Sequence, residues 1–169
     1  MARCILLLAS DRVSRGERPD ATADLLRPVL QAAGHELLDV RAVPDERAAL
    51  VAALREACAR ADLVLTSGGT GIAPRDVTPE ATREVLDREI PGLGEAMRAV
   101  SLAKVPTAAL SRALAGTAGR ALVVNLPGSP KGAAECLSAV LPALGHGLKV
   151  LAGGVKDCQQ ELGGASART

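Results

Sequence analysis

LVLTSGGTGIAPRDVTPEATREV, residues Leu63–Val85, carries an apolar segment into a glycine-rich turn and then into a helix start. Leu63–Ser67 has the length and composition of a buried strand. The turn that follows, Gly68–Gly71, allows backbone N–H groups to approach an anion closely, because its glycines have no Cβ. A carboxylate, Asp76, comes a few residues later. This order of elements indicates a phosphate-binding site.

The composition predicts one domain with a full core and argues against nucleic acid as a partner. The chain has 169 residues, 48% of them hydrophobic, and a formal net charge of +1. It has no Phe, Tyr or Trp, and therefore lacks the aromatic platforms on which single-stranded nucleic acid stacks. A heterocyclic ligand must lie against aliphatic side chains, peptide planes or arginines instead.

The cysteines and histidines are too scattered to predict a disulfide framework or a zinc site; they are Cys4, Cys58, Cys136, Cys158, His35 and His146. The apolar run Ile5–Ala9 is too short for a signal peptide, and no stretch is long enough to span a membrane. We therefore expect a soluble, cytoplasmic protein with no membrane partner.

Apolar runs alternate with helix signals along most of the chain. The predicted strands are Arg3–Ala9, Glu36–Val43, Asp62–Ser67 and Arg120–Leu126, and the predicted helices span about 21–33, 44–60, 78–89, 94–104 and 130–151. The segment 109–119 fits a helical turn followed by a short strand. The alternation predicts an α/β fold, a three-layer sandwich with a mainly parallel central sheet flanked by helices. We expect one domain, residues 1–152, and a flexible polar tail, residues 153–169.

A second glycine turn repeats the design of the first. Thr78-Pro79 and Ser129-Pro130 each resemble a helix N-cap followed by proline at the first helical position. Both helices are expected to start at the carboxyl ends of parallel strands, where α/β folds bind ligands and where helix N-termini favour anions. Ordinary capping explains either copy alone, but two copies beside the loop Gly68–Gly71 favour a phosphate site.

Better-known phosphate and hydrolase motifs do not fit. Gly128–Gly132 has the wrong order for a P-loop, and Pro74 occupies the last glycine position of a dinucleotide fingerprint. The chain also lacks the G-x-S-x-G elbow of serine hydrolases.

Two aspartates follow different predicted strands and are expected at the same crevice. Asp45 and Asp76 together are suited to Mg²⁺, which prefers carboxylate and phosphate oxygens. The alternative for Asp45 is a helix N-cap. Arg75 and Lys131 are candidates for neutralising phosphate charge, with a solvated surface position as the alternative for both.

These motifs resemble the MogA/MoaB family of molybdenum-cofactor biosynthesis proteins, including the related domains of gephyrin and the plant Cnx proteins. The resemblance is carried by Ser67–Thr82 and continues through residues 91–95, 109–112 and 125–131. Near the start, residues 10–14, Asp20 and residues 44–46 match as well. It covers roughly the whole chain except the tail.

The resemblance implies Mg-ATP-dependent adenylylation of molybdopterin, a pterin dithiolene with a terminal phosphate, with release of pyrophosphate. It assigns Asp45 and Asp76 as catalytic and metal-binding carboxylates. It places the following residues on the phosphate, pterin and nucleotide: Ser67, Gly68, Gly69, Thr70, Gly71, Ser111, Asn125, Pro127, Gly128 and Ser129. It also implies a homotrimer or, in the MoaB branch, a hexamer.

Two rival functions share the same motifs. One is a carrier that binds molybdopterin without chemistry, and the other is a catalytically silent scaffold of the MoaB branch. A carrier needs the phosphate loop but has little use for two metal-binding carboxylates. The presence of both Asp45 and Asp76 therefore favours the enzyme.

Overall fold

The computed structural model describes residues 1–153, which fold as an alternating series of strands and helices. In chain order these are β1 (Arg3–Ala9), α1 (Asp11–Ser14), α2 (Thr22–Ala32), β2 (Glu36–Val43), α3 (Arg47–Arg60), β3 (Leu63–Ser67), α4 (Thr78–Arg83), β4 (Arg88–Glu89), α5 (Pro91–Leu102), a 3₁₀ helix (Pro106–Leu110), β5 (Ala115–Ala118), β6 (Ala121–Leu126) and α6 (Pro130–Leu151). Except for Gly153, the predicted tail lies outside the described residues.

One sheet of six strands, in the order β2-β1-β3-β6-β5-β4, forms the centre. The four strands β2, β1, β3 and β6 are parallel, whereas β5 pairs antiparallel with β6 and β4 pairs antiparallel with β5. In register, Leu65 lies opposite Leu6 on one side and Val124 on the other. The predicted mainly parallel sheet is therefore confirmed, and its parallel half brings the carboxyl ends of β1, β3 and β6 to one edge.

Each face of the sheet is covered by its own group of helices. Leu6 and Leu65 pack with apolar side chains of α2, α5 and α6, whereas Leu7 and Val64 pack with those of α3 and α4. The alternation along each strand separates the two clusters, because successive strand residues point to opposite faces. The predicted three-layer sandwich with helices on both faces is thus confirmed.

The predicted helix at 78–89 is too long, and Thr78 is not its N-cap. Helix α4 ends at Arg83, and Arg88–Glu89 forms the short edge strand β4. Val77 occupies the N-cap position, and Thr78 is the first helical residue and is fully buried. The helix ends early because the chain must turn back to pair with β5: the Asp87 N–H donates to the Thr117 carbonyl over 2.8 Å.

Gly116 lies at a close approach between β4 and β5. A Cβ there would lie 2.3 Å from the Arg88 carbonyl oxygen and 2.5 Å from Leu86 Cδ1. Only glycine allows this approach without displacement of the edge strand, which explains why a glycine interrupts the short strand β5.

We expect Gly116→Ala to lower the free energy of unfolding by about 1–3 kcal/mol, because the new methyl group overpacks against backbone atoms. Far-UV circular dichroism during urea unfolding is the suitable measurement, since the chain has no tryptophan or tyrosine to report by fluorescence. Gly145→Ala in α6 is the matched control: apart from its own helix backbone, no atom of residues 1–153 lies within 4 Å of the new Cβ, so helix propensity should raise the stability by up to about 1 kcal/mol. Equal stability of the two variants would contradict the overpacking argument.

Candidate active site

The glycine turn after β3 is packed directly against the ends of the neighbouring strands. Gly68 has φ +102°, and a Cβ on it would lie 2.4 Å from the Ala9 carbonyl oxygen at the end of β1. Its N–H donates to the Leu126 carbonyl of β6 over 3.2 Å. On the β6 side, a Cβ on Gly128 would lie 3.2 Å from the Cα of Gly68. The two predicted glycine turns therefore meet at the carboxyl edge of the sheet.

Both predicted carboxylates lie against this loop. A Cβ on Gly69, which has φ +62°, would lie 3.5 Å from Asp45 Oδ1. A Cβ on Gly71 would lie 2.8 Å from Asp76 Oδ2. The same Asp76 oxygen accepts a 2.8 Å hydrogen bond from the Ala73 N–H, which closes the turn after the glycines. The structure thus brings the loop, Asp45 and Asp76 together, as the sequence predicted.

Asp45 is held by Asp11, which is not among the predicted site residues. The Asp11 N–H donates to Asp45 Oδ2 over 3.0 Å, and the Asp45 N–H donates to Asp11 Oδ1 over 3.1 Å. Arg75 forms an ion pair with the Asp11 carboxylate over 2.6 Å. Since Glu46 precedes the first residue of α3, Asp45 is not the N-cap of that helix. The sequence does contain a signal for Asp11: it follows β1 just as Asp45 follows β2, so both could be expected at the same edge of the sheet.

The carboxylates form a region of concentrated negative charge. Burial raises the pKa of Asp45 above its ordinary value, and the nearby charges of Asp11 and Asp76 raise it further, while the Asp11 N–H and Arg75 act in the opposite direction. The pKa of Asp11 is lowered, chiefly by the hydrogen bond from the Asp45 N–H and then by Arg75. A cation beside Asp45 would relieve this charge.

A cavity of about 500 Å³ opens beside the loop. Thr70 and Gly71 form part of its wall, and Ser111, Pro127 and Ser129 form another part. The remainder is largely aliphatic, with three cationic residues, Arg98, Lys104 and Lys131. Asp45 and Asp76 do not line it, so the glycine loop is shared between an apolar cavity and a pair of carboxylates. This division suits a ligand with an apolar ring system and a phosphate.

A larger cavity, about 1030 Å³, lies at the opposite edge of the sheet, where β1, β3 and β6 begin. Its wall includes Ala2, His35, Asp62 and Arg120, and none of the predicted site residues lines it. This cavity is larger, but neither the glycine loop nor the pair of aspartates lies beside it. The smaller cavity is therefore the better candidate for the ligand-binding site.

Asn125 occupies a different place from the other predicted site residues. Its side chain is fully buried, and its Nδ2 donates to Thr66 Oγ1 over 3.0 Å and to Thr82 Oγ1 over 2.9 Å. It therefore ties β6 to β3 and α4 beneath the glycine loop and does not line the cavity. Its Oδ1 has no hydrogen-bond partner among residues 1–153.

Of the two predicted helix caps, only the second has the predicted geometry. Ser129 Oγ accepts from the Gly132 N–H over 3.4 Å, and Pro130 is the first residue of α6. Ser67 Oγ, from the end of β3, donates to the Pro127 carbonyl over 2.9 Å and so joins the two turns.

Comparison with known proteins gives a consistent result. Residues 5–146 match the family described as probable molybdopterin binding domain. The molybdopterin adenylyltransferase of Helicobacter pylori strain J99 is 43% identical over 152 residues, which cover 88% of this chain and 86% of the relative. That of Escherichia coli K12 is 46% identical over 145 residues, with coverage of 83% and 74%. The crystal structure of the molybdopterin biosynthesis enzyme MoaB from Thermus thermophilus is 54% identical, covers 90% of this chain and 98% of its own, and superposes with a TM-score of 0.85. The chain therefore belongs to the molybdopterin-binding domain family, together with the MogA and MoaB proteins.

Proposed function

We propose that the chain is a molybdopterin adenylyltransferase that transfers AMP from ATP to the terminal phosphate of molybdopterin and releases pyrophosphate. The observation that carries the proposal is the convergence of Asp45 and Asp76 on the glycine loop beside an apolar cavity. The curated relatives with that name, at 43–46% identity, support the same reaction.

The two halves of the site suit the two substrates. The cavity beside Ser111 and Thr70 is large enough for a pterin and offers aliphatic walls to its ring. Lys131 and the N-terminus of α6 lie at the same cavity and favour an anionic group there. The carboxylates on the other part of the loop are then available for the triphosphate and its cation.

The donor set fits Mg²⁺ bound jointly with substrate. Within residues 1–153, no three His, Cys, Asp or Glu side chains are grouped to hold a metal by themselves. Mg²⁺ commonly uses one or two carboxylates and completes its shell with water and phosphate oxygens. We propose that Asp45 and Asp76 hold it. When bound, the ion would supply charge neutralisation at the triphosphate.

The chain's own groups provide positioning and charge, which is what this reaction needs. The attacking phosphate is already an anion, so no strong general base is required. Loop N–H groups can orient the phosphate while the cavity holds the ring and excludes water. Because the carboxylate oxygens of Asp45 and Asp76 are fixed by backbone N–H groups of Asp11 and Ala73, little reorganisation is needed on binding.

The proposal is tested by incubating the purified protein with molybdopterin and Mg-ATP and by measuring pyrophosphate. Release that depends on molybdopterin and is lost with EDTA supports the enzyme. Pterin binding without pyrophosphate would indicate the carrier, and the absence of both would indicate a scaffold.

We expect Asp45→Asn and Asp76→Asn each to reduce kcat by about 100-fold, because the charge that holds the cation is lost. Molybdopterin affinity should change little, since neither residue lines the cavity. The amide retains one oxygen that can accept the existing backbone hydrogen bond, so the loop should keep its geometry. Asp24→Asn, on the exposed face of α2, is the matched control. Full turnover by both site variants would rule out the two-carboxylate assignment.

We expect Gly69→Ala to weaken molybdopterin binding about tenfold or more, or ~1.4 kcal/mol. Its methyl group would lie 2.4 Å from Thr78 Oγ1, so the loop must move. Gly119→Ala is a control matched for backbone strain, because Gly119 has φ +57° but, beyond its chain neighbours, no described residue lies within 4 Å of an added Cβ. Equal affinity of both variants in a spectroscopic pterin titration would mean that the loop is only a structural turn.

We also propose a homotrimer or hexamer, on the strength of the family resemblance, and a cytoplasmic location, where ATP is available. Free thiols at Cys4, Cys58 and Cys136 suit a reducing compartment. In the part of the chain that the structure describes, no helix combines the length and apolar character needed to cross a bilayer.

A further inference from the structure

Arg112 binds the glycine loop at more points than any motif in the sequence suggested. Its backbone N–H donates to the Thr70 carbonyl over 2.9 Å, and its Nε donates to the Gly71 carbonyl over 2.6 Å. The two terminal nitrogens of the same guanidinium bind the Asp76 carbonyl and the Glu80 carboxylate. One residue thus connects both ends of the segment from the glycines to Asp76, and joins them to the first turn of α4.

These contacts orient the groups that face the ligand. In a planar trans peptide, the C=O and N–H bonds point in opposite directions. Anchoring the Thr70 and Gly71 carbonyls on Arg112 therefore directs the N–H groups of Gly71 and Ile72 away from it. The anchored Asp76 carbonyl fixes the backbone that carries the carboxylate. Within this set of contacts, Arg112 sets the spacing between the anion-binding amides and Asp76.

The charge of Arg112 is already compensated inside the protein. Glu80 neutralises it, and both side chains are 36% exposed. Arg112 is absent from the wall of the 500 Å³ cavity, although its neighbours Ser111 and Ala113 are part of it. It lies instead on a second hollow, which Asp76 and Glu80 also line. The guanidinium hydrogen bonds given above go to the loop backbone and to Glu80, so its contacts fix the position of the loop.

We propose that Arg112 is a positioning residue for the transfer reaction, which holds the phosphate-binding amides and the Asp76 carboxylate at a fixed separation. The proposal rests on the proposed function. A planar guanidinium with five N–H donors can bind two carbonyls and a carboxylate at once, whereas a lysine ammonium has three donors on a flexible stem and cannot reproduce that fork. Arg112→Lys keeps the charge and should still lose the positioning.

The experiment compares Arg112→Lys and Arg112→Ala with the control Arg83→Ala, which removes an exposed arginine paired with Glu89 over 3.2 Å. We expect a fall in kcat of about 100-fold in both Arg112 variants, with a smaller rise in the KM for molybdopterin. Millimolar methylguanidinium, far below denaturing concentration, should restore part of the kcat of Arg112→Ala, and methylammonium should not. Arg83→Ala should behave as the parent protein.

A second readout is independent of activity. Hydrogen exchange of the backbone amides in residues 70–77 should become about tenfold faster in both Arg112 variants, and exchange in the central strands should be unchanged. If the parent protein does not adenylylate molybdopterin, the proposed function fails, and the exchange measurement still tests the positioning role. If Arg112→Ala does not fold, kcat and hydrogen exchange are measured in Arg112→Lys alone. Unchanged kcat and unchanged loop exchange in Arg112→Lys would overturn the proposal, as would a loss of kcat accompanied by faster exchange throughout the sheet.

Discussion

The close approach of Gly68 to the ends of β1 and β6 is the constraint on which the site depends. With a Cβ, Gly68 would collide with the Ala9 carbonyl, and a Cβ on Gly128 would lie 3.2 Å from the Cα of Gly68. Because both neighbours are backbone atoms at the ends of buried parallel strands, they cannot give way as a flexible side chain can. The backbone contacts at Gly68 therefore fix the path of the loop as it leaves the sheet. That path sets where the loop residues lie relative to Asp45 and the cavity.

The parallel half of the sheet also brings two carboxylates, those of Asp11 and Asp45, to the same edge as the loop. Asp11 and Asp45 follow β1 and β2, which are hydrogen-bonded neighbours, so their backbones lie close enough to exchange N–H to carboxylate bonds in both directions. Each aspartate is thus both an acceptor and a structural support for the other. Their opposite pKa shifts follow from this arrangement: the hydrogen bond from the Asp45 N–H and the ion pair with Arg75 lower the pKa of Asp11, whereas burial and two like charges raise the pKa of Asp45.

Polar groups beneath and behind the loop hold it in shape. Asn125 lies below the loop and connects β3, β6 and α4, while Arg112 binds the carbonyls of the loop from the side of α4. Thr78 Oγ1 and Asn125 Oδ1 are buried in this layer, and the described part of the chain offers neither atom a hydrogen-bond partner. Buried polar groups of this kind are costly for stability, and their position directly under the loop fits a site built for function.

The main strands and helices, the mainly parallel sheet and the two glycine turns could be predicted from the sequence, because these depend on local periodicity and on glycine's lack of a side chain. The sequence also located Asp45 and Asp76, since residues after parallel strands must meet at one edge. It misjudged the segment 78–89, where pairing of β4 with β5 overrides the local helix signal. Three further roles could not be predicted: Asn125 lies under the loop and not at the cavity, Asp11 supports Asp45, and Arg112 binds the loop. These roles depend on contacts between residues 32 to 59 positions apart in the chain, which no local pattern records.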